Sequence, residues 1–134
     1  MNIKSILWIL ISFELFFNVF VFVNEAFSSQ VICLIGKGCE IAKASQYSTI
    51  MGIELTTIGL ISFISLFIVY KNIHKKGFYK LYLFATLLGA SLASYLLYIQ
   101  IFILKNICST CLIIDSTMII IFILTYIDFF NAKR

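Results

Sequence analysis

The sequence contains no proline, a single histidine and few charged residues. Of its 134 residues, 12% are charged and 62% are hydrophobic, and the mean hydropathy is +1.07. Because soluble globular domains carry about 25% charged residues, these values exclude that class. No low-complexity stretch divides the chain, and its length accommodates one domain. We therefore expect a single membrane domain over residues 1–134.

The sequence instead contains four long apolar segments. At a rise of 1.5 Å per residue, each is long enough to cross about 30 Å of hydrocarbon. Each is apolar around its whole circumference, as helices that face lipid require. The pattern predicts an all-α fold, an integral membrane bundle of four transmembrane helices. The segments cover approximately residues 6–23, 53–70, 79–104 and 112–130.

The basic residues indicate how the chain is oriented in the membrane. The formal net charge is +4, but the basic residues lie in short gaps between apolar segments, so the charge does not indicate a nucleic-acid partner. The 71–80 loop contains four lysines, and both chain ends are basic. The positive-inside rule predicts that this loop and both termini are cytoplasmic. The 24–52 loop and the 105–111 gap are then expected on the outer side of the cytoplasmic membrane.

The second half of the 24–52 loop has the pattern of a short amphipathic helix. Polar and apolar side chains separate onto two faces when residues 39–48 are placed on a helix. This pattern predicts an interfacial helix that lies apolar side down, as a lid over the bundle.

All four cysteines fall in the two segments expected on the outer side. Thiols outside the cytoplasmic membrane meet an oxidising environment in which disulfides form and persist. The cysteines form two local pairs, which predicts a disulfide system. The pairs are Cys33 with Cys39, and Cys108 with Cys111.

Cys108 and Cys111 form a Cys-x-x-Cys motif at the expected start of the fourth helix. The free N–H groups and the positive dipole end of a helix stabilise a thiolate there. Residues at i and i+3 share a helix face, so the two sulfurs can close a disulfide. This geometry favours a redox dithiol over a static disulfide. A zinc site would need two more ligands, and His74 is expected on the other side of the membrane.

Cys33 and Cys39 are separated by five residues that include Gly36 and Gly38. The glycines supply backbone freedom, and a mobile, exposed dithiol suits a shuttle because thiol–disulfide exchange requires direct contact between sulfurs. A rigid structural disulfide is the alternative. A dithiol relay also needs a final electron acceptor. Since the sequence has no haem, flavin or nucleotide motif, a lipid-soluble quinone held among the helices is the simplest candidate, either menaquinone or ubiquinone.

The order of the two motifs resembles the vitamin K epoxide reductase family. Cys-x5-Cys stands in the first outer loop, and Cys-x-x-Cys stands at the start of the fourth helix. The stretch CLIGKGCEIAKASQYSTIMGI, residues 33–53, adds a serine six residues after Cys39 and a Gly-Ile pair before the second helix. The resemblance covers essentially the whole chain. It implies a prokaryotic-type quinone reductase that regenerates a thioredoxin-fold disulfide carrier. We expect this carrier to be a separate protein rather than a fused thioredoxin domain.

The resemblance also implies a role for each cysteine. Cys33 would meet the carrier, Cys39 would exchange with Cys108, and Cys111 would face the quinone. Ser45 and Asp115 occupy positions that imply contacts with the quinone.

Two positions depart from the family pattern. Glu54 stands where the family usually has a proline after Gly-Ile. Asp115 stands where members often present a histidine or a tyrosine near the quinone head group. A carboxyl group one turn beyond Cys111 can deliver a proton to a quinone or can form a structural hydrogen bond.

Two other classes of protein remain open. The DsbB-type bundle performs the same task, but its Cys-x-x-Cys lies in the first outer loop, so the order of cysteines argues against it. The second alternative is a non-catalytic membrane subunit held by two disulfides.

Within the first apolar segment, Glu14 and Asn18 share a helix face. This placement favours a structural hydrogen bond between them, with a functional role for Glu14 as the alternative.

Overall fold

The described chain is mostly helical. The computed structural model describes residues 2–28 and 33–134. Three helices are long and apolar enough to cross a membrane, and another apolar helix is shorter. The predicted helical membrane bundle is therefore confirmed, whereas a membrane crossing by the shorter helix stays a prediction. The elements are α1 (Ile3–Ser28), α2 (Gly38–Ala44), β1 (Thr49–Ile50), β2 (Ile53–Glu54), α3 (Leu55–Lys71), α4 (Phe78–Tyr98), a π-helical turn (Ile99–Ile103) and α5 (Ser109–Lys133).

A short hairpin precedes α3. Strands β1 and β2 pair antiparallel, with Ile50 opposite Ile53. Met51 and Gly52 connect them with φ values of 54° and 82°, and positive φ at both central residues suits the twist of a two-residue hairpin. The predicted helical segment 53–70 therefore began two residues too early, because its first residues pair with β1.

Helix α2 begins one residue before the stretch 39–48 that was predicted to be helical, and it is shorter. It covers Gly38–Ala44 and ends where Ser45 adopts extended backbone, with φ −74° and ψ 155°. Lys43 Nζ lies 2.6 Å from Glu25 Oε1 and joins α2 to the last turns of α1. Partly exposed ion pairs of this kind contribute at most about 1 kcal/mol. The position of α2 as a lid in the membrane interface stays a prediction.

The interior of the bundle lies between α1, α3, α4 and α5. Ala90 and Ala93 of α4 are buried. At Gly89 an added Cβ would lie 3.3 Å from Met118 Sδ. Small residues let helices approach closely, so α4 packs tightly on α5. The core side chains are Leu7, Ile11, Phe63, Leu66, Tyr70, Tyr82, Ala93, Met118 and Ile121.

The bundle has two chemically different ends. At one end, the Tyr70 hydroxyl donates to the Lys4 carbonyl oxygen at 2.7 Å, and the Tyr79 hydroxyl donates to Asp128 Oδ2 at 3.3 Å. These contacts bring the residues at the two ends of the basic loop 71–80 close to the first and last turns of the bundle. The cysteines lie at the opposite end.

Candidate redox active site

The first pair of cysteines forms a disulfide at the start of α2. Cys33 and Cys39 are bonded, with their Cα atoms 5.6 Å apart. The Cys39 N–H also donates to Cys33 Sγ at 3.3 Å. Cys39 is 1% exposed, whereas Cys33 is only half-buried. An incoming thiol can therefore reach Cys33 more easily than Cys39.

The two glycines between these cysteines serve different purposes. Gly36 has a φ of 72°, in the left-handed region that favours glycine. Gly38 packs so closely on the segment before α5 that an added Cβ would collide with the Ile107 carbonyl oxygen and would lie 3.4 Å from Cys108 N. Backbone freedom was the expected reason for both glycines. The structure assigns Gly38 instead to close packing, which holds the loop against the start of α5.

The second pair lies at the start of α5, where the motif was predicted, and both of its cysteines are free thiols. Cys108 is the N-cap residue, and its Sγ accepts the Cys111 N–H at 3.3 Å. Hydrogen bonds from the Cys111 thiol and from the N–H groups of Cys111 and Thr110 lower the pKa of the Cys108 thiol, and they outweigh the opposing effect of burial. Cys108 is therefore the cysteine of this pair that more readily forms a thiolate.

Ser109 connects the two pairs. Its Oγ lies 3.6 Å from Cys33 Sγ and 3.9 Å from Cys39 Sγ. It also accepts the backbone N–H groups of Leu34 at 3.1 Å and Ile35 at 3.3 Å. The motif alone did not indicate a role for this residue, although both positions inside Cys-x-x-Cys carry hydroxyl side chains, which is a usable signal.

Gln100 connects the second pair to a buried carboxyl group. Its Oε1 accepts the Cys108 N–H at 3.3 Å, and its Nε2 donates to Asp115 Oδ2 at 3.3 Å. The residue lies in the π-helical turn, a feature often found at functional sites. It is also missed from sequence, although it is the one amide side chain in the apolar segment 79–104.

Asp115 lies one helical turn beyond Cys111 and is 7% exposed. Its carboxyl group forms a buried hydrogen bond, one of the two uses considered for it, and the partner is Gln100. Asp115 also interacts electrostatically with Cys108 and with Glu14. A polar path therefore leads from the cysteines into the bundle.

Glu14 is fully buried in the middle of α1. The Asn18 amide donates to the Glu14 carbonyl oxygen at 2.9 Å and to Glu14 Oε2 at 3.4 Å, as the shared helix face predicts. Among the described residues, Glu14 Oε1 has no hydrogen-bond partner.

Ser45 closes the C-terminal end of α2. Its hydroxyl donates to the Ala42 carbonyl oxygen at 2.6 Å, so its hydrogen is already used within its own helix. The structure therefore brings together the four cysteines and Asp115, while Ser45 lies at the other end of α2. Its contact with a quinone stays a prediction.

The family model named "Vitamin K epoxide reductase family" matches residues 3–126. The chain belongs to the vitamin K epoxide reductase family. No curated protein and no solved structure gives a significant match. Membership of the vitamin K epoxide reductase family fits the geometry, in which a disulfide lies beside a free Cys-x-x-Cys pair. These features are those of a membrane thiol oxidoreductase.

Proposed function

We propose that the protein is a membrane thiol:quinone oxidoreductase that re-oxidises a separate thioredoxin-fold disulfide carrier and so supports disulfide bond formation. The observation that carries this proposal is the oxidised pair Cys33–Cys39 packed beside the free thiols Cys108 and Cys111. Disulfides are exchanged by direct attack of a thiolate on a sulfur. Two adjacent pairs in opposite redox states can therefore pass two electrons along the chain.

Differences in exposure support the order of transfer. Cys33, the more exposed sulfur of the loop, meets the carrier. Cys39 then exchanges with Cys108 when the second pair is oxidised, and Cys111 faces the quinone. The pairing in the structure, with the loop oxidised and the second pair reduced, corresponds to the state after electrons have moved inward.

The residues behind the second pair are compatible with a quinone head group. Gln100 accepts the Cys108 N–H and donates to Asp115, so both side chains place buried polar atoms behind the second pair. A bound menaquinone or ubiquinone would accept two electrons and two protons. The reduced Cys108–Cys111 pair releases the same number when it forms a disulfide. Asp115 is suited to hold one of these protons, because a buried carboxyl group is costly to keep charged.

The proposed topology follows from the charges at the two ends. The basic end, with the 71–80 loop and both termini, lies in the cytoplasm by the positive-inside rule. The cysteine end then lies outside the cytoplasmic membrane, where a disulfide carrier works. In this topology α3 also crosses the membrane, as the second of four transmembrane helices along the chain, and residues 1–134 form one membrane domain.

Purified protein in lipid nanodiscs provides the test, with quinone reduction followed by absorbance. The donors are dithiothreitol and a reduced thioredoxin-fold protein. We expect Cys108→Ala or Cys111→Ala to abolish quinone reduction with either donor. We expect Cys33→Ala or Cys39→Ala to abolish activity with the protein donor but to retain some with dithiothreitol, which reaches the second pair directly.

Equal loss with both donors in all four variants would contradict the division into a loop pair and a quinone-facing pair. A wild-type protein that reduces no quinone with either donor would refute the proposed activity. Trapping also separates an enzyme from a non-catalytic subunit. In the Cys39→Ala variant, the free Cys33 thiolate of the enzyme should attack the disulfide of the oxidised thioredoxin-fold protein, form a mixed disulfide with it and release its second cysteine as a thiolate, whereas a non-catalytic subunit should form none.

A further inference from the structure

The hydroxyl hydrogen of Ser109 points to sulfur. A serine oxygen has two lone pairs and one hydrogen. Both lone pairs are used by the N–H groups of Leu34 and Ile35. Within residues 2–28 and 33–134, the other contacts of this hydroxyl group are those to Cys33 Sγ at 3.6 Å and Cys39 Sγ at 3.9 Å. Because both sulfurs belong to a disulfide and carry no hydrogen, Ser109 is the donor in these contacts.

The two sulfurs of the loop disulfide differ in access. In thiol–disulfide exchange, one sulfur is attacked and the other leaves as a thiolate. Cys33 is half-buried, whereas Cys39 is 1% exposed. The carrier thiolate therefore attacks Cys33 Sγ, and Cys39 Sγ leaves as a thiolate. The charge develops on a buried sulfur that lies 3.9 Å from Ser109 Oγ and 3.9 Å from Thr110 Oγ1.

We propose that Ser109 is a catalytic residue of the first exchange step. Its side chain holds the Cys33–Cys39 disulfide for attack at Cys33, and its hydroxyl group donates a hydrogen bond to Cys39 Sγ as that sulfur leaves. This role rests on the proposed function, in which the loop pair receives the electrons of the carrier.

The chemistry of the hydroxyl group suits this role. Two incoming N–H groups polarise the oxygen and strengthen the hydroxyl as a donor. Hydrogen bonds to a charged acceptor are about twice as strong as those between neutral groups. The interaction therefore strengthens as negative charge develops on Cys39, and interactions that are stronger in the transition state than in the ground state accelerate a reaction.

The step balances without an added reactant. The carrier thiolate forms a bond to Cys33 Sγ, the Cys33–Cys39 bond breaks, and its electron pair moves to Cys39 Sγ. The carrier sulfur is oxidised to a mixed disulfide, and Cys39 is reduced to a thiolate. The thiolate keeps its hydrogen bond from Ser109 until it attacks Cys108 of an oxidised second pair.

The first test uses glutathione as the attacking thiol on the full chain with the loop disulfide intact. Samples are quenched in acid, and the adducts are located by peptide mass spectrometry. We expect the adduct on Cys33, and we expect Ser109→Ala to slow opening of the disulfide about tenfold, the lower end of the range for a hydrogen bond to a charged group. Ser62→Ala is the matched control, since its exposed hydroxyl donates to the Ile58 carbonyl oxygen on α3, and we expect no change.

The second test separates stabilisation of the thiolate from a loss of loop structure. In a Cys33→Ala protein, Cys39 is a free thiol whose alkylation by iodoacetamide is followed against pH. Removing the hydroxyl of Ser109 should raise the midpoint pH by about one unit, which corresponds to the same tenfold effect. A loop that is merely loosened would react faster at every pH with the same midpoint.

Threonine and valine at position 109 have nearly the same shape and differ in the hydroxyl group. We expect Ser109→Thr to keep the wild-type midpoint and Ser109→Val to raise it, and this comparison still tests the proposal if the alanine variant does not fold. Equal midpoints for the two variants, or a glutathione adduct on Cys39, would overturn it. Neither measurement uses a quinone or the carrier, so a failure of the proposed function appears separately, as a wild-type protein that reduces no quinone.

Discussion

Replacing Gly38 by alanine should move the loop disulfide away from the second pair of cysteines. The added Cβ would collide with the Ile107 carbonyl oxygen and would lie 2.8 Å from the carbonyl carbon. Both are backbone atoms of the segment that leads into Cys108, so no rotation of a side chain relieves the contact. Ordinary carbon–carbon contacts are about 3.5–4.0 Å long, so α2 must retreat by roughly 1 Å.

A displacement of this size has a large expected effect on electron transfer. A misplacement of about 1 Å can cost about 10²-fold in rate, and overpacking costs about 1–3 kcal/mol of folding free energy. We expect kcat/KM for a reduced thioredoxin-fold donor to fall between about tenfold and about 100-fold. The rate with dithiothreitol should fall much less, because dithiothreitol reaches Cys108 and Cys111 without the loop. The measured quantity is the ratio of the two rates in the quinone-reduction assay.

Gly59→Ala is the matched control for this prediction. Its added Cβ would lie 3.4 Å from Asn18 Oδ1, an ordinary contact. Alanine stabilises the interior of a helix by up to about 1 kcal/mol relative to glycine. We expect wild-type rates with both donors. If Gly38→Ala folds and accepts electrons from the protein donor as the wild type does, the close packing of α2 is not what couples the two pairs. A parallel fall with both donors would also refute the reasoning.

Three further predictions concern the second pair of cysteines and the membrane. Asp115→Asn should slow quinone reduction by pre-reduced protein about tenfold, the order of a lost general acid, and leave Cys39–Cys108 exchange intact; an unchanged stopped-flow rate means that the carboxyl group is structural. Because Cys111 lowers the pKa of the Cys108 thiol, Cys111→Ala should raise the midpoint pH of Cys108 alkylation toward the ordinary value of about 8.5, whereas an equal or lower midpoint would contradict this cause. In intact, reduced cells, an alkylating probe confined to the outside should label cysteines while a tag after Arg134 stays cytoplasmic, and complete protection of the cysteines with an external tag would reverse the topology.

The membrane helices and the position of the Cys-x-x-Cys motif were predictable because they depend on local sequence. An apolar run is helical in a bilayer since its backbone must satisfy its own hydrogen bonds. Cys108 begins α5 because the preceding polar gap ends there, and its sulfur caps the first turn. These relations span only a few residues.

The functional contacts of Ser109 and Gly38 could not be predicted in the same way. Ser109 binds the backbone of Leu34, and Gly38 packs on Ile107. In both cases the partner lies about 70 residues away in the chain, and the contact depends on how α2 docks on α5. The sequence alone assigns Gly38 to mobility, which is the common use of glycine in loops.

The π-helical turn was missed for a similar reason. Apolar periodicity predicts a continuous helix over residues 79–104, and nothing in the local sequence disfavours it. The turn places Gln100 between the Cys108 N–H and Asp115. A wide helical turn is held by these tertiary hydrogen bonds, which the composition of the segment does not indicate.

The shortness of α3 has a consequence for the lipid around the protein. With 17 residues, α3 covers about 25 Å, less than the hydrocarbon thickness of about 30 Å. The adjoining hairpin adds apolar side chains at its end, with Met51 98% exposed and Ile53 50% exposed. A helix shorter than the bilayer is accommodated by local thinning or by its flanking residues. The proposed enzyme should therefore work best where acyl chains are short enough for α3 and its hairpin together to match them, so membrane thickness becomes a variable that tunes its activity.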